Sequence, residues 1–291
     1  IMSEFVEGFE TMSKIGPCVS VFGSARTEPE AATYQQAVCF GKAMAERDWM
    51  VVTGAAAGIM EAGHVGAGRA HSMGLNIMLP FEQEANPIIA GDHKLVNMKY
   101  FFTRKLMFVK ECDAVVCLPG GFGTLDEAME VLTLLQTGKR DMVPVILLDA
   151  PGGTYWKQLQ QFFADQLLGG GMIAPMDSHL YLVTDDCQVA VDEVLNFFTV
   201  FNSMRYVHDH LVFRLEEEIS SELLADLNQY FSDLLTEGKF ELSAALPEEK
   251  SEVDLKDLPR LVFRFNRRTH GRLRQLINCL NQRSIDDELR K

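Results

Sequence analysis

The sequence predicts an α/β fold: a doubly wound parallel sheet with a small C-terminal α+β appendage. Three observations lead there. From Pro17 to about Phe201, short runs of Val, Ile and Leu alternate with helix-length stretches. These runs are continuously apolar, as strands buried on both faces must be. After Phe201 the pattern changes to a β-α-β-β-α order with a charged, proline-containing stretch inside it. Strand, helix, strand at this spacing calls for right-handed crossovers and a parallel sheet. Such a sheet binds ligands at the carboxyl ends of its strands, near the switch in strand order.

Taken in order, residues 1–16 form an N-terminal extension without the basic, apolar and cleavage regions of a secretory signal. Strands are expected over residues 18–22, 50–53, 75–79, 114–118 and 143–148, and helices over 31–47, 59–72, 101–111, 125–137 and 156–167. Together they make one domain spanning residues 17–204. A polar stretch at residues 80–93 reads either as a loop that covers a ligand or as an ordinary surface connection. Residues 205–291 read as a second domain, with strands at 206–215, 239–244 and 260–265 and helices at 216–235 and 269–280. The composition shift after Phe201 predicts that the two fold separately.

Charge and composition exclude several classes. With 27 basic and 41 acidic residues the net charge is −14, which repels a nucleic-acid backbone but admits a mononucleotide held by local positive potential. No apolar run approaches the ~20 residues that span a bilayer. The cysteines at 18, 39, 112, 117, 187 and 279 show no CxxC spacing and read as free thiols of a reducing compartment, which points to the cytoplasm. His64, His71, His93, His208, His210 and His270 lack metal-ligand spacing, so no metal and no cofactor is assigned.

The most informative segment is Pro119-Gly120-Gly121-Phe122-Gly123-Thr124-Leu125-Asp126-Glu127, which follows a strand and opens a helix. Glycines there let the chain turn sharply and a ligand approach the backbone. The free amides of the helix start then suit a phosphate group. The same residues also fit a capping box, Thr124-x-x-Glu127, that merely satisfies those amides. No GK[ST] follows, so a triphosphate with Mg²⁺ is not implied. A second block, Tyr100-Phe101-Phe102-Thr103-Arg104-Lys105-Leu106-Met107, opens the preceding helix. Phe101, Leu106, Phe108 and Val109 can face the sheet, while Arg104 and Lys105 place two cations near a helix N-terminus, an arrangement an anion would relieve.

The blocks F-F-T-R-K and P-G-G-F-G-T-L-D-E, followed by Leu134-Leu135-Gln136-Thr137-Gly138-Lys139, resemble the LONELY GUY family, long labelled as lysine decarboxylases. The likeness runs from about Cys18 to Phe201. It implies a Rossmann-like fold and a homodimer or higher homo-oligomer with sites near the subunit interface. The implied reaction is N-glycosidase hydrolysis of a nucleoside 5′-monophosphate, of the AMP or cytokinin riboside type, to free base and ribose 5-phosphate. By the same resemblance Arg104 and Glu127 match the catalytic pair and Lys105 a substrate-contacting lysine. Gly120, Gly121, Gly123 and Thr124 match the phosphate-binding turn, and Thr133 a substrate-contacting threonine. Gly23 and Ser24 match a small-residue turn beside the ligand, and Gly54, Gly58 and Met60 a second glycine-rich turn.

That last turn departs from the pattern, with Ala55, Ala56 and Ala57 where the family has glycines. Either the turn takes another conformation or the ligand sits farther from it. This keeps open a non-catalytic nucleotide-binding or carrier protein on the same scaffold. The helix dipole is expected to hold Glu127 ionised, suited to stabilising an oxocarbenium ion or activating water. Arg260, Arg264, Arg267, Arg268, Arg272 and Arg274 form either a solvated face or a second site for an anionic effector.

Overall fold

The computed structural model describes residues 1–78, 84–250 and 252–285. Residues 80–83 of the expected covering loop lie outside them. The chain divides into two compact units. The first comprises Ile1–Leu132, Val143–Met172 and Tyr181–Glu193, and the second Thr133–Met142, Ile173–Leu180 and Val194–Lys291.

The first unit is built on a seven-stranded parallel sheet. Its elements begin with α1 (Met2–Met12), β1 (Cys18–Phe22), α2 (Ala32–Ala45), β2 (Met50–Thr53), α3 (Ile59–Ala67), β3 (Ser72–Ile77) and β4 (Leu95–Met98). They continue with α4 (Phe101–Glu111), β5 (Ala114–Cys117), α5 (Phe122–Gln136), β6 (Val145–Leu148), α6 (Tyr155–Phe162), β7 (Leu182–Thr184) and α7 (Cys187–Phe197). The strand order is β4-β3-β2-β1-β5-β6-β7, and every pairing is parallel. The central strands β1, β2, β5 and β6 are buried along their whole length, which is why they read as unbroken apolar runs. Ser20, the polar residue of β1, donates its hydroxyl to the Ala114 carbonyl at 3.3 Å.

Departures from expectation fall at edges. Leu95–Met98 and Leu182–Thr184 are outer strands, short and only partly buried, so they carry no continuous apolar run. β3 starts at Ser72, earlier than expected, and Gly74 lets it pass close to Leu95 and Ala55, an approach a side chain would crowd. The N-terminal extension forms the helix α1, which packs on α4 and β4. α5 starts at Phe122, earlier than expected, with consequences for the site.

The second unit contains the last turn of α5, the short helical segment Pro175–Leu180, and β8 (Phe201–Val207), β9 (His210–Leu215), α8 (Ser221–Tyr230), β10 (Glu241–Ser243), β11 (Arg260–Phe263) and α9 (His270–Gln282). Its antiparallel sheet has the order β10-β11-β9-β8. Instead of one strand over residues 206–215, the chain makes the β8–β9 hairpin, turning at His208 with φ 55°. A chain of ring contacts, Phe197–Phe201–Phe213–Phe263–Phe240, runs through its core at centroid distances of 5.4, 5.0, 5.2 and 4.7 Å. This unit is not one continuous C-terminal piece. Gln136 of α5 donates to Asp177 at 2.6 Å, and α9 approaches so closely that a Cβ on Gly271 would run into the Met176 carbonyl.

The arginines of this unit are distributed among separate internal partners. Arg260 is fully buried against Glu249 (Nε–Oε2 3.0 Å), which also accepts from Arg214 Nε at 3.0 Å. Burial alone would raise the Glu249 carboxyl, but hydrogen bonds from Leu246 and the two arginines hold it below its usual range. Arg272 pairs with Asp233, Arg264 with Asp209, and Arg267 lies over the Tyr206 ring.

Candidate active site

In this strand order β2 lies on one side of β1 and β5 on the other, so the direction of winding reverses between β1 and β5. The chain ends leaving these two strands run side by side: Ser24 N donates to Pro119 O at 3.2 Å and Leu118 N to Phe22 O at 2.8 Å. A cavity of about 710 Å³ opens there, at the carboxyl ends of the strands. Its lining includes Gly23, Ser24, Gly54, Met60, Arg104 and Glu127, with Gly121, Gly123 and Thr124 from the start of α5.

The glycines shape this space. At Gly54 a Cβ would sit 2.8 Å from Met60 Sδ and 3.4 Å from Arg104 Nη1, so the Met60 side chain would have to shift to admit one. Gly58 has φ 66°, and its amide neighbour Ile59 donates to Ser24 O at 3.0 Å, which ties the turn after β2 to the turn after β1. Gly58 and Gly120 do not line the cavity themselves. Gly120 packs against Thr124, where a Cβ would overlap its hydroxyl, and its carbonyl accepts from Tyr155 Oη at 2.7 Å.

Thr124 N and Leu125 N both donate to Gly121 O at 3.1 Å. The amides of Gly121, Phe122 and Gly123 precede them, exposed and, among the described residues, without a backbone acceptor. Thr124 lies inside α5, so the capping box is not formed. The helix start is left open to an anion.

Arg104 reaches the same space from α4. Its guanidinium lies 5.3 Å from the Phe101 ring centroid and 5.9 Å from that of Phe108. Its buried Nε has no hydrogen-bond partner, and no carboxylate lies within 4.0 Å among the described residues. Burial lowers its pKa and the nearby Glu127 charge raises it, but a guanidinium stays charged regardless. A half-buried guanidinium without an ion pair, lining the same cavity as exposed amides, gives that cavity a local positive potential.

Glu127, 7% exposed, completes the pair. Its Oε2 has no hydrogen-bond partner, and Lys105 Nζ lies 3.9 Å away. Burial pushes its pKa up to about 7; Lys105 and Arg104 pull it down, while Asp126 and Glu130 push it up. The expectation that the helix dipole keeps Glu127 ionised is therefore corrected. Because α5 begins at Phe122, Glu127 stands in the second turn, where the dipole has faded and desolvation dominates.

Two further residues from the resemblance, besides Gly58 and Gly120, stand apart from the lining. Lys105 does not line the cavity; its ammonium binds Asp126 at 2.6 Å and Glu130 at 2.5 Å. Thr133 is not in the lining either and belongs to the second unit. Of the apolar residues on α4 expected to face the sheet, Phe108 and Val109 are buried, but Phe101 and Leu106 are exposed. Phe101 and Phe108 are cavity walls that periodicity assigned to packing, and Phe122 stands 93% exposed at the rim.

The alanine turn also has a physical account. Ala55 takes φ 60° despite its Cβ, which is buried outside the cavity; Ala56 alone of the three lines it. The turn is held by Asn86, whose amide donates to Ala55 O at 3.1 Å and Ala56 O at 3.2 Å. Behind it sits His64, bonded to Asn86 and to Met73 O, with burial lowering its pKa to about 4 so that it is neutral. Asn86 gave no sequence signal, since its partners lie 22 to 31 residues away.

Residues 55–194 match a family described as "possible lysine decarboxylase". A cytokinin riboside 5′-monophosphate phosphoribohydrolase of Arabidopsis thaliana is 30% identical over 193 residues, 64% of this chain and 84% of that protein. The chain belongs to the LONELY GUY family. A probable phosphoribohydrolase of the same description from Oryza sativa subsp. japonica is 30% identical over 186 residues, 63% of this chain and 77% of the relative. With two other LONELY GUY proteins of Arabidopsis, 35% and 36% identical, the chain spans only 42% and 53% of their length. Among solved structures it is similar to the molybdenum cofactor binding protein of Rippkaea orientalis, with a TM-score of 0.44 and 21% identity over 64% of this chain and 99% of that one. The matched residues 55–194 include Arg104 and Glu127 of the cavity, whereas residues 22–26 and Gly54 of its lining precede them. Among the described residues no helix is long and apolar enough to cross a membrane.

Proposed function

We propose that this LONELY GUY protein hydrolyses the N-glycosidic bond of a nucleoside 5′-monophosphate, of the AMP or cytokinin riboside type, giving free base and ribose 5-phosphate. The observation that carries the reading is the meeting, in one cavity, of the unpaired Arg104 guanidinium, the open amides at Gly121–Gly123 and the buried Glu127 carboxyl. The 5′-phosphate docks on the amides and on Arg104, which anchors the ribose with its C1′ toward Glu127. As the C1′–N bond breaks, its electron pair leaves with the base and positive charge develops at C1′. The Glu127 carboxylate stabilises that charge and accepts a proton from the water whose oxygen bonds to C1′. A group titrating near neutrality takes up this proton and releases it to solvent within one turnover, and the departing base nitrogen takes one proton from solvent, so that water is added across the C1′–N bond.

We further read the protein as a homodimer, with the exposed Phe102 and Leu106 of α4 as part of the face a second copy covers. The decisive experiment incubates the protein with a panel of nucleoside 5′-monophosphates and assays free base. Release of base from at least one monophosphate, and not from the matching nucleoside, is the expected result. No base from any of them would overturn the reading.

A further inference from the structure

Glu4 lies on α1, ahead of both motif blocks and of the family match over residues 55–194. Its side chain is buried, 8% exposed. Its partners all stand at the start of α4: Oε1 accepts from Lys99 N at 2.8 Å, and Oε2 from the Thr103 hydroxyl at 2.7 Å. Burial by itself would raise this carboxyl's pKa, but the bonds from Thr103 and Lys99 outweigh it and hold it below the usual range.

α4 lacks a cap of its own, since its N-cap residue Tyr100 makes no side-chain capping bond. The helix also opens with two cations, Arg104 and Lys105, at its positive end. The Glu4 carboxylate ties the residue ahead of the N-cap to the Thr103 side chain in the first turn, and it supplies negative charge at this end of the helix. Its grip is close to the cavity in sequence, because Thr103 is fully buried and directly precedes Arg104. α1 is pressed against α4, for a Cβ on Gly8 would lie 2.8 Å from Met107 Sδ. The turn so held presents Phe101 and Arg104 to the cavity.

We propose that Glu4 is a positioning residue for Arg104, the α1 carboxylate fixing the first turn of α4 so that the unpaired guanidinium meets the substrate's phosphate. The proposal rests on the reading of the cavity as a nucleotide site. A purely structural Glu4 would change stability alone, whereas a positioning Glu4 changes anion affinity in molecules that remain folded.

The test uses the full chain with Glu4→Ala and Glu4→Gln, at a temperature where circular dichroism shows all three proteins folded. Inorganic phosphate is titrated by calorimetry at fixed ionic strength, and kcat/KM is measured on the best nucleotide. Glutamine keeps one acceptor oxygen for Lys99 N, and its NH2 can donate to the Thr103 hydroxyl, which in turn reaches Tyr100 O at 2.8 Å, so it should stay within about threefold of the unaltered protein, while alanine should lose at least about tenfold in both measurements. Alanine with unchanged phosphate affinity, or glutamine as impaired as alanine, would overturn the proposal. Phosphate binding that depends on Glu4 without release of base would support it and sink the nucleosidase reading. If the unaltered protein binds no phosphate, both fall.

Discussion

Glu127 is a carboxyl whose burial outweighs two nearby cations, and that balance has measurable consequences. In the folded protein it ionises near pH 7 instead of near 4.5, so its contribution to stability is fully present below about pH 4.5 and is lost as pH rises through 7. Glu127→Gln removes the titration. The variant should match the unaltered protein at pH 4.5 and exceed it at pH 8 by up to about 3 kcal/mol in urea unfolding, while turnover falls by at least about 10². Near-normal release of base from that variant would remove Glu127 from the chemistry. Lys105 supplies a second test. Its ammonium favours the ionised Glu127, so in Lys105→Met the carboxyl should titrate higher and the rising limb of kcat against pH should move to higher pH. An unmoved limb would mean that Lys105 does not act on Glu127's charge.

At the scale of elements, the cavity depends on two turns held in different ways. The turn into α5 is local: its glycines are adjacent, and its open amides follow from helix geometry alone. If it holds phosphate, a nucleoside should be cleaved far more slowly than its monophosphate, because its remote binding energy is missing. The turn after β2 is held from outside. Asn86 satisfies the Ala55 and Ala56 carbonyls and His64 together, so Asn86→Ala leaves buried polar groups without partners. It should destabilise the protein by about 2–3 kcal/mol. A change under about 0.5 kcal/mol in denaturant unfolding would show that the turn supports itself.

For the whole molecule, the division into units bears on truncation. The second unit takes in Thr133–Met142 and Ile173–Leu180 beside Val194–Lys291, and the Gln136–Asp177 bond and the Gly271–Met176 approach lie within it. A cut after residue 205 falls inside β8 and strips these segments of α9. We expect residues 1–205 alone to be insoluble or to unfold without cooperativity, read by circular dichroism and urea. A soluble fragment with a sharp transition and intact hydrolysis would show that the appendage is dispensable.

Much of the molecule is legible in the chain because its causes are local. Continuous apolar runs at 18–22, 50–53 and 114–117 mark buried central strands, since burial on both faces demands them. Pro119–Glu127 announces a phosphate-sized turn, as adjacent glycines and a helix start need no distant partner. The edge strands were not legible, because a half-exposed strand of three or four residues carries no run. What tertiary structure alone decided are matters of long-range contact. It gave Lys105 to Asp126 and Glu130 and left Arg104 unpaired, though the two are neighbours in one motif. It buried Glu127 and so raised its pKa to about 7, against the lowering its helix position suggested. It brought Glu4 onto Thr103, 99 residues away, and assembled the second unit from three separate stretches. Charge state and partner choice depend on desolvation and on which groups the fold brings within a few ångströms, and neither is written in the local pattern.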